Sequence, residues 1–61
     1  MSIKEAKKII ARIIRKIRPL HNYETLVIKD ALMNNKGQMW VAVAEISTLL
    51  EVREDEIFDL L

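Results

Sequence analysis

The chain has 61 residues, no cysteine and one histidine, and its formal net charge is +1. A chain this short forms one domain and buries only about 60% of the surface that its unfolded form exposes. The lack of cysteine excludes a disulfide framework and a thiolate metal site. One glycine and one proline are the only strong backbone breakers, which favours helices joined by few turns. We therefore expect a single small all-α domain over residues 1–61, with three to four short helices.

The sequence contains no recognisable catalytic pattern. There is no nucleophile–base pair, no glycine-rich phosphate loop and no converging pair of carboxylates, so we expect neither enzymatic activity nor a metal or other cofactor. No apolar run approaches the roughly 20 residues that span a bilayer. The segment "IIARIIRKI" is interrupted by arginines and does not fit a signal-peptide core. We expect a cytoplasmic location.

The two ends of the chain carry opposite charge. Residues 1–18 hold seven basic side chains and one acidic one, Glu5, whereas residues 45–61 hold six acidic side chains and one basic one, Arg53. A basic head and an acidic tail attract each other within one molecule, between two copies, or toward different partners.

Residues 2–18 have the pattern of a basic amphipathic helix. Ser2 and Glu5 have the spacing of a capping box, and Pro19 ends the segment because the residue before a proline is disfavoured in helical geometry. On a helical wheel the apolar residues occupy an arc of roughly 140°, with every charged residue outside it. The apolar residues are Ile3, Ala6, Ile9, Ile10, Ile13, Ile14, Ile17 and Leu20.

The same residues also repeat as a short heptad pattern of under three heptads. One interpretation is that this face covers the rest of the domain. The other is a seam between two copies, in which Ile10, Ile13 and Ile17 form the dimer contact. Because a core this small gains from burying the apolar stripe of a second copy, we expect a homodimer.

Residues 22–35 are predicted to form a central second helix. Asn22 is its candidate N-cap, and Gly37 is its candidate left-handed terminator. Apolar residues cover most of the circumference, and a helix of that kind is expected to be central in the fold. These residues are Tyr23, Leu26, Val27, Ile28, Ala31 and Leu32.

Residues 38–61 are predicted to form two further helices. Residues 39–43, "MWVAV", also fit a short strand, but a lone strand has no evident partner, so a continuous helix is favoured. In the last helix, "REDEIFDLL", acidic residues occupy the first turn, where the helix dipole favours them. Ile57, Leu60 and Leu61 are its expected buried side.

The apolar residues of this pair resemble those of the helix-turn-helix family, specifically the tri-helical core of winged-helix proteins. The resemblance covers about two-thirds of the chain and implies two helices locked at a steep angle by packing across a tight turn. Two of the matching positions lie on the first helix, one in the turn and two on the second helix. They are Ile46, Leu50, Val52, Ile57 and Leu60.

Three features depart from that family. Glu51 stands where the family usually has glycine in the turn, and no wing hairpin is expected after Leu61. The positions that approach bases and phosphates in the family are acidic here, and they would meet one negative charge per about 1.7 Å of duplex. We therefore do not expect this helix to read a major groove. The acidic residues are Glu54, Asp55, Glu56 and Asp59.

Two surfaces are candidate binding sites. The basic face of the first helix is suited to a phosphate backbone; the alternatives are an anionic membrane, disfavoured because this segment lacks tryptophan and phenylalanine, and a solvated face. Its candidate nucleic-acid-binding residues are Lys4, Lys8, Arg12, Arg15, Lys16 and Arg18. A second surface combines an apolar patch at Trp40 with the acidic last helix, and its candidate protein-interface residues are Trp40, Val41, Glu54, Asp55, Phe58 and Asp59.

Trp40 and Phe58 each allow two interpretations, an exposed interface anchor or ordinary core. His21 is expected to be structural. The sequence supports two hypotheses for function. The first is a small non-enzymatic regulatory protein that associates with nucleic acid through its first helix. The second is a protein-interaction module, an adaptor or inhibitor, that uses the Trp40 patch and the acidic last helix.

Overall fold

The computed structural model describes residues 1–35 and 37–61, and these residues form four helices and no strand. The helices are α1 (Ile3–Lys16), α2 (Asn22–Met33), α3 (Met39–Leu50) and α4 (Glu54–Phe58). The all-α prediction is confirmed. Residues 39–43 belong to the continuous helix α3, so the short-strand alternative is wrong. None of the helices in the described ranges is long and apolar enough to cross a membrane.

The first helix begins at its predicted N-cap and ends at Lys16, two residues before the predicted end at residue 18. Ser2 is the N-cap, and its Oγ accepts a hydrogen bond from the Glu5 backbone N–H at 3.2 Å. The helix ends at Lys16, and Ile17 is its C-cap, whose N–H donates to the Ile13 carbonyl. The buried residues of α1 form one stripe, because they recur with the helical period. They are Ala6, Ile9, Ile10 and Ile13.

That stripe packs inside the chain's own core. Ile13 is fully buried and Ile10 is 7% exposed, whereas Ile17 is half-buried against the same core. The assignment of Ile10 and Ile13 to a dimer seam is therefore wrong, because the other helices of the same chain already cover them. A homodimer remains a prediction, and any such contact must use a different surface.

The second helix begins one residue earlier than predicted. Its N-cap is His21 rather than Asn22, and the carboxylate of Glu24 accepts the His21 backbone N–H at 2.9 Å. A glutamate three residues into the helix stabilises the start in this way. At the other end, the Asn35 side chain donates to the Leu32 carbonyl at 3.1 Å and accepts the Gly37 N–H at 2.9 Å. Gly37 has the expected left-handed φ of 81°.

Helix α2 contacts both α1 and α3, yet part of its apolar surface is exposed. Ile28 and Leu32 are fully buried, but Tyr23, Leu26 and Val27 are 61%, 54% and 44% exposed. The reason is the small number of helices: α1 and α3 pack on α2, while α4 packs on α3 instead. One apolar side of α2 is therefore left at the surface.

The last two helices form the predicted helix-turn-helix-like pair. Ile46, Leu50 and Ile57 are buried, and Val52 and Leu60 pack partly buried against the same core. The predicted buried side of α4 is wrong at one position, because Leu61 is 42% exposed. The five-residue helix α4 therefore docks through Ile57, with Leu60 beside it.

Glu51, in the turn between α3 and α4, occupies the left-handed conformation. Its φ and ψ are 59° and 43°, and its N–H donates to the Ser47 carbonyl. A residue with a Cβ is disfavoured in that region, whereas glycine is not. The turn between α3 and α4 thus contains a residue whose backbone conformation is strained.

Replacing Glu51 by glycine is therefore expected to stabilise the domain by about 1 kcal/mol. Urea denaturation followed by circular dichroism measures this change in the free energy of unfolding. The matched control is Glu45→Gly, an exposed position inside α3, where glycine is expected to cost about 1 kcal/mol. A Glu51→Gly variant less stable than the parent would contradict the prediction.

Candidate functional site

The basic side chains of α1 lie together on its solvent side, opposite the buried stripe. We call this surface the basic face. At 1.5 Å per residue, the distance along the helix from Lys4 to Arg15 is about 16 Å. The only acidic residue of α1 is Glu5, which lies in the first turn. The exposed cations of the basic face are Lys4, Lys7, Lys8, Arg12, Arg15 and Lys16.

A straight row runs along the middle of the basic face. Lys4, Lys8, Ala11 and Arg15 follow the i, i+4, i+7, i+11 spacing that places residues on one line of a helix, and all four are exposed. Ala11 is small, so its position in the row lets a ligand approach the helix closely. Lys7 flanks this row and was missing from the predicted set, although its exposure follows from the same helical period.

Arg12 has a structural contact in addition to its place on the basic face. Its Nη1 donates a hydrogen bond to the backbone carbonyl of Leu60 at 2.9 Å. This bond links α1 to the end of α4. Arg12 therefore holds the C-terminal segment against α1 while its side chain stays exposed.

Arg18 does not belong to the basic face, and its contacts correct its assignment to the nucleic-acid-binding set. Its guanidinium donates two hydrogen bonds to the Glu24 carboxylate, at 3.0 and 2.7 Å, and a third to the Pro19 carbonyl at 3.0 Å. Glu24 is only 3% exposed. The charge of Arg18 is therefore matched by a buried carboxylate, and the pair connects the α1–α2 turn to α2.

The electrostatics of this pair agree with its geometry. The Arg18 guanidinium, and after it the His21 backbone N–H, lower the pKa of the Glu24 carboxyl to about 2. The Glu24 carboxylate in turn raises the pKa of Arg18. Both groups are charged at neutral pH, since hydrogen bonds and an opposite charge favour the ionised forms.

The acidic residues of α4 are exposed, as expected. Arg53 forms an ion pair with Asp55 at 3.5 Å, and both side chains are largely exposed. No ion pair joins α1 to α4 among the residues that the structure describes. Within the same ranges no cluster of side chains is suited to a metal ion. The acidic residues of α4 and its C-cap are Glu54, Asp55, Glu56 and Asp59.

The two aromatic candidates are both at the surface. Trp40 is 65% exposed and Phe58 is 48% exposed, so the interpretation of Trp40 as core is wrong. Val41, which was predicted to share this surface, and Ala44, one helical turn after Trp40, are half-buried. An exposed tryptophan of this kind is common at the centre of protein interfaces.

A groove between α2 and α3, which the sequence did not predict, is a further concave surface of the described residues. It consists of two adjoining hollows with volumes of about 320 and 490 Å³, which share Val27 and Glu45. We call it the α2–α3 groove. Its apolar floor includes Val27, Val41, Ala44 and Leu49, and its charged residues are Asp30 and Glu45. Val27 lines both hollows and is exposed. The one sequence feature that relates to the groove is the apolar pattern around all of α2.

Comparisons with models of known protein families, with curated proteins and with solved structures find no match to this chain. The function of the chain is therefore inferred from its surfaces, their charges and their packing.

Proposed function

We propose that this chain is a small non-enzymatic regulatory protein that associates with nucleic acid through the basic face of α1. The observation that carries the proposal is the concentration of six exposed cations on one 14-residue helix that contains a single acid. A phosphate backbone is a densely charged ligand for such a row of cations, with one negative charge per about 1.7 Å of duplex.

The chemistry of the face favours contact with phosphates rather than with base edges. Lysine and arginine bind phosphate oxygens, and the face carries no asparagine or glutamine, the residues that pair with adenine. The central row, Lys4, Lys8 and Arg15, supplies three of the contacts. Association of this kind is largely independent of sequence and strongly dependent on salt.

The helix-turn-helix-like pair has a different role in this proposal. The exposed carboxylates of α4 repel a duplex, so this helix faces away from the phosphates. The pair supports α1 through the shared core and through the hydrogen bond from Arg12 to the Leu60 carbonyl. The usual recognition helix is thus part of the scaffold, and α1 is the binding element.

The double variant Lys8→Gln/Arg15→Gln tests the proposal. Each lost phosphate contact is expected to reduce the magnitude of the slope of log K against log salt by about 0.9 for a duplex. The slope of the double variant should therefore be smaller by about two than that of the parent. Fluorescence-anisotropy titrations of a random-sequence duplex at salt concentrations between about 50 and 200 mM measure both slopes.

The matched control is Lys29→Gln/Arg53→Gln, which lowers the net charge by the same amount at positions outside the basic face. This control is expected to bind with nearly the slope of the parent. Equal weakening by both double variants would show that binding follows net charge and not the basic face. No binding by the parent at the lowest salt concentration would reject the proposal outright.

A protein-interaction module remains the second candidate, because Trp40 is 65% exposed beside half-buried Val41 and Ala44. In that function the Trp40 patch and the acidic α4 contact a protein partner. The two candidates use different helices, so Trp40→Ala should leave the duplex titration unchanged if α1 is the nucleic-acid surface.

A further inference from the structure

We propose that the α2–α3 groove binds an amphipathic helix of a partner protein, one whose apolar stripe is flanked by lysine or arginine. This inference goes beyond the proposed function, since it concerns another surface and another class of ligand. It is based on three properties of the groove: its apolar floor, the sign of its charges and its length.

The apolar floor requires apolar side chains from the occupant. Val27 is 44% exposed, and Val41, Ala44 and Leu49 are each only partly covered. Apolar surface of this kind gains free energy when another apolar surface removes it from water. Tyr23, one helical turn before Val27 and 61% exposed, extends the same side of α2.

The walls of the groove favour a helix over an extended peptide. Both walls are α-helices, whose backbone N–H and C=O groups are paired within the helix except at its ends. The groove therefore offers no strand edge to an extended segment. A helix brings its own backbone hydrogen bonds and leaves no polar backbone group unpaired on the apolar floor.

The charges of the groove determine which residues are favoured beside the apolar stripe of the bound helix. Asp30 is exposed on α2, and Glu45 is exposed on α3 between Val41 and Leu49, where it lines both hollows. The lining residues that the structure describes include no basic side chain. Acidic groups on both walls attract lysine or arginine beside the apolar stripe and disfavour acidic flanks. Charge complementarity therefore points to a basic amphipathic helix.

The length of the groove sets the spacing of the anchors. From Val41 to Leu49 the distance along α3 is about 12 Å, which corresponds to slightly more than two turns of a helix. A helix laid in such a groove contacts it through residues at i, i+3 or i+4, and i+7. Three apolar anchors at that spacing fill the groove.

The occupant is a different protein and not a second copy of this chain. Within the described ranges the one basic amphipathic helix is α1, and its apolar stripe is buried in its own core, with Ile9 4% and Ile13 0% exposed. A second copy could place this stripe in the groove only if its own α1 left its core.

The experiment uses two fluorescein-labelled synthetic helical peptides as probes. Both carry leucine at the i, i+4, i+7 and i+11 positions; one has lysine on the flanks of that stripe and the other has glutamate in place of every lysine. Anisotropy titrations with the full chain are expected to show binding of the leucine–lysine peptide and none of the leucine–glutamate peptide. Amide shifts in ¹⁵N spectra should map the bound peptide to Val27, Val41, Ala44 and Leu49.

Two variants locate the binding. Asp30→Asn/Glu45→Gln is expected to weaken the leucine–lysine peptide by about five- to tenfold, because two favourable ion pairs are lost. The matched control, Asp55→Asn/Glu54→Gln on α4, removes the same charge and should bind as the parent does. Val27→Gln, at an exposed position that does not support the core, should weaken binding by about tenfold or more.

Three results would overturn the proposal. The first is equal weakening by the control pair, which would assign binding to net charge. The second is binding of neither peptide. The third is self-association of the parent chain in sedimentation experiments, if Val27→Gln abolishes it. In that case the occupant of the groove would be a second copy. None of these measurements involves nucleic acid. Their outcome therefore tests the groove independently of the proposal that the basic face binds nucleic acid.

Discussion

Replacing Ile13 by alanine is expected to lower the free energy of unfolding by about 2–5 kcal/mol. Ile13 is fully buried where α1 meets the rest of the core, so its truncation removes apolar contacts and leaves a cavity. A domain below about 70–80 residues rarely has more than about 3–5 kcal/mol from its core. We therefore expect a large part of the population to be unfolded at room temperature, as measured by urea denaturation and the helical circular-dichroism signal.

The neighbouring residue provides a matched control. Ile14 has the same side chain, lies in the same helix and is 43% exposed. Ile14→Ala is expected to change the free energy of unfolding by less than about 1 kcal/mol, since exposed substitutions remove few contacts and alanine favours helix. Equal losses in the two variants would mean that Ile14 is also covered, as it would be in a dimer that buries this side of α1.

Ile13 illustrates what the sequence predicts well, whereas Ile14, which lies on the same predicted apolar arc, is 43% exposed. In α1 the charged residues and the isoleucines separate completely on a helical wheel, so the periodicity assigns Ile13, near the middle of the apolar arc, to the buried side. The same periodicity cannot identify the surface that covers the stripe. The dimer assignment of Ile10 and Ile13 was wrong for that reason: the helical wheel has no information on whether the covering helices belong to the same chain.

Helix α2 illustrates the opposite case. Its apolar residues surround the axis, and the wheel has no preferred direction from which to predict exposure. Which residues remain exposed depends on how many helices pack around α2 and from which sides, and this is a property of the tertiary arrangement. Val27, and with it the α2–α3 groove, could therefore not be located from the sequence.

The basic face illustrates a second limit of prediction from sequence, which concerns the partners of charged residues. Helical periodicity correctly places Lys4, Lys8 and Arg15 on the solvent side of α1. A run of basic residues does not reveal which charges have partners, because the partner of Arg18 is six residues further on in another helix. Replacement of Arg18 would disturb the fold as well as the charge, so it is a poor probe of nucleic-acid binding. The variant Lys8→Gln/Arg15→Gln avoids this pair.

The buried carboxylate of Glu24 is expected to make stability depend on pH in acid. Its pKa in the folded chain is about 2, whereas an unperturbed glutamate has a pKa of about 4.3. As the pH falls below about 4.5, the unfolded chain takes up this proton before the folded chain does. The contribution of Glu24 to stability is therefore complete above that pH and is lost progressively as the pH falls toward about 2.

Glu24→Gln should remove this part of the pH dependence. The variant is expected to be less stable than the parent at neutral pH, and the difference should shrink as the pH falls from about 4.5 to about 2, as measured by urea denaturation at a series of pH values. Glu56→Gln is the matched control: Glu56 accepts the Arg53 N–H at 3.1 Å in the same position of its helix, but it is exposed. A constant difference for Glu24→Gln across that range would contradict the prediction.

A double-mutant cycle separates the ion pair from the backbone hydrogen bond. Arg18→Gln leaves the Glu24 carboxylate buried with only the His21 N–H as a strong donor, so this variant should be the least stable of the set at neutral pH. Adding Glu24→Gln removes the unpaired charge, and the double variant should recover part of the loss, which indicates coupling between the two residues. Additive losses would mean that the two side chains act independently, and that the bidentate contact does not connect the α1–α2 turn to α2.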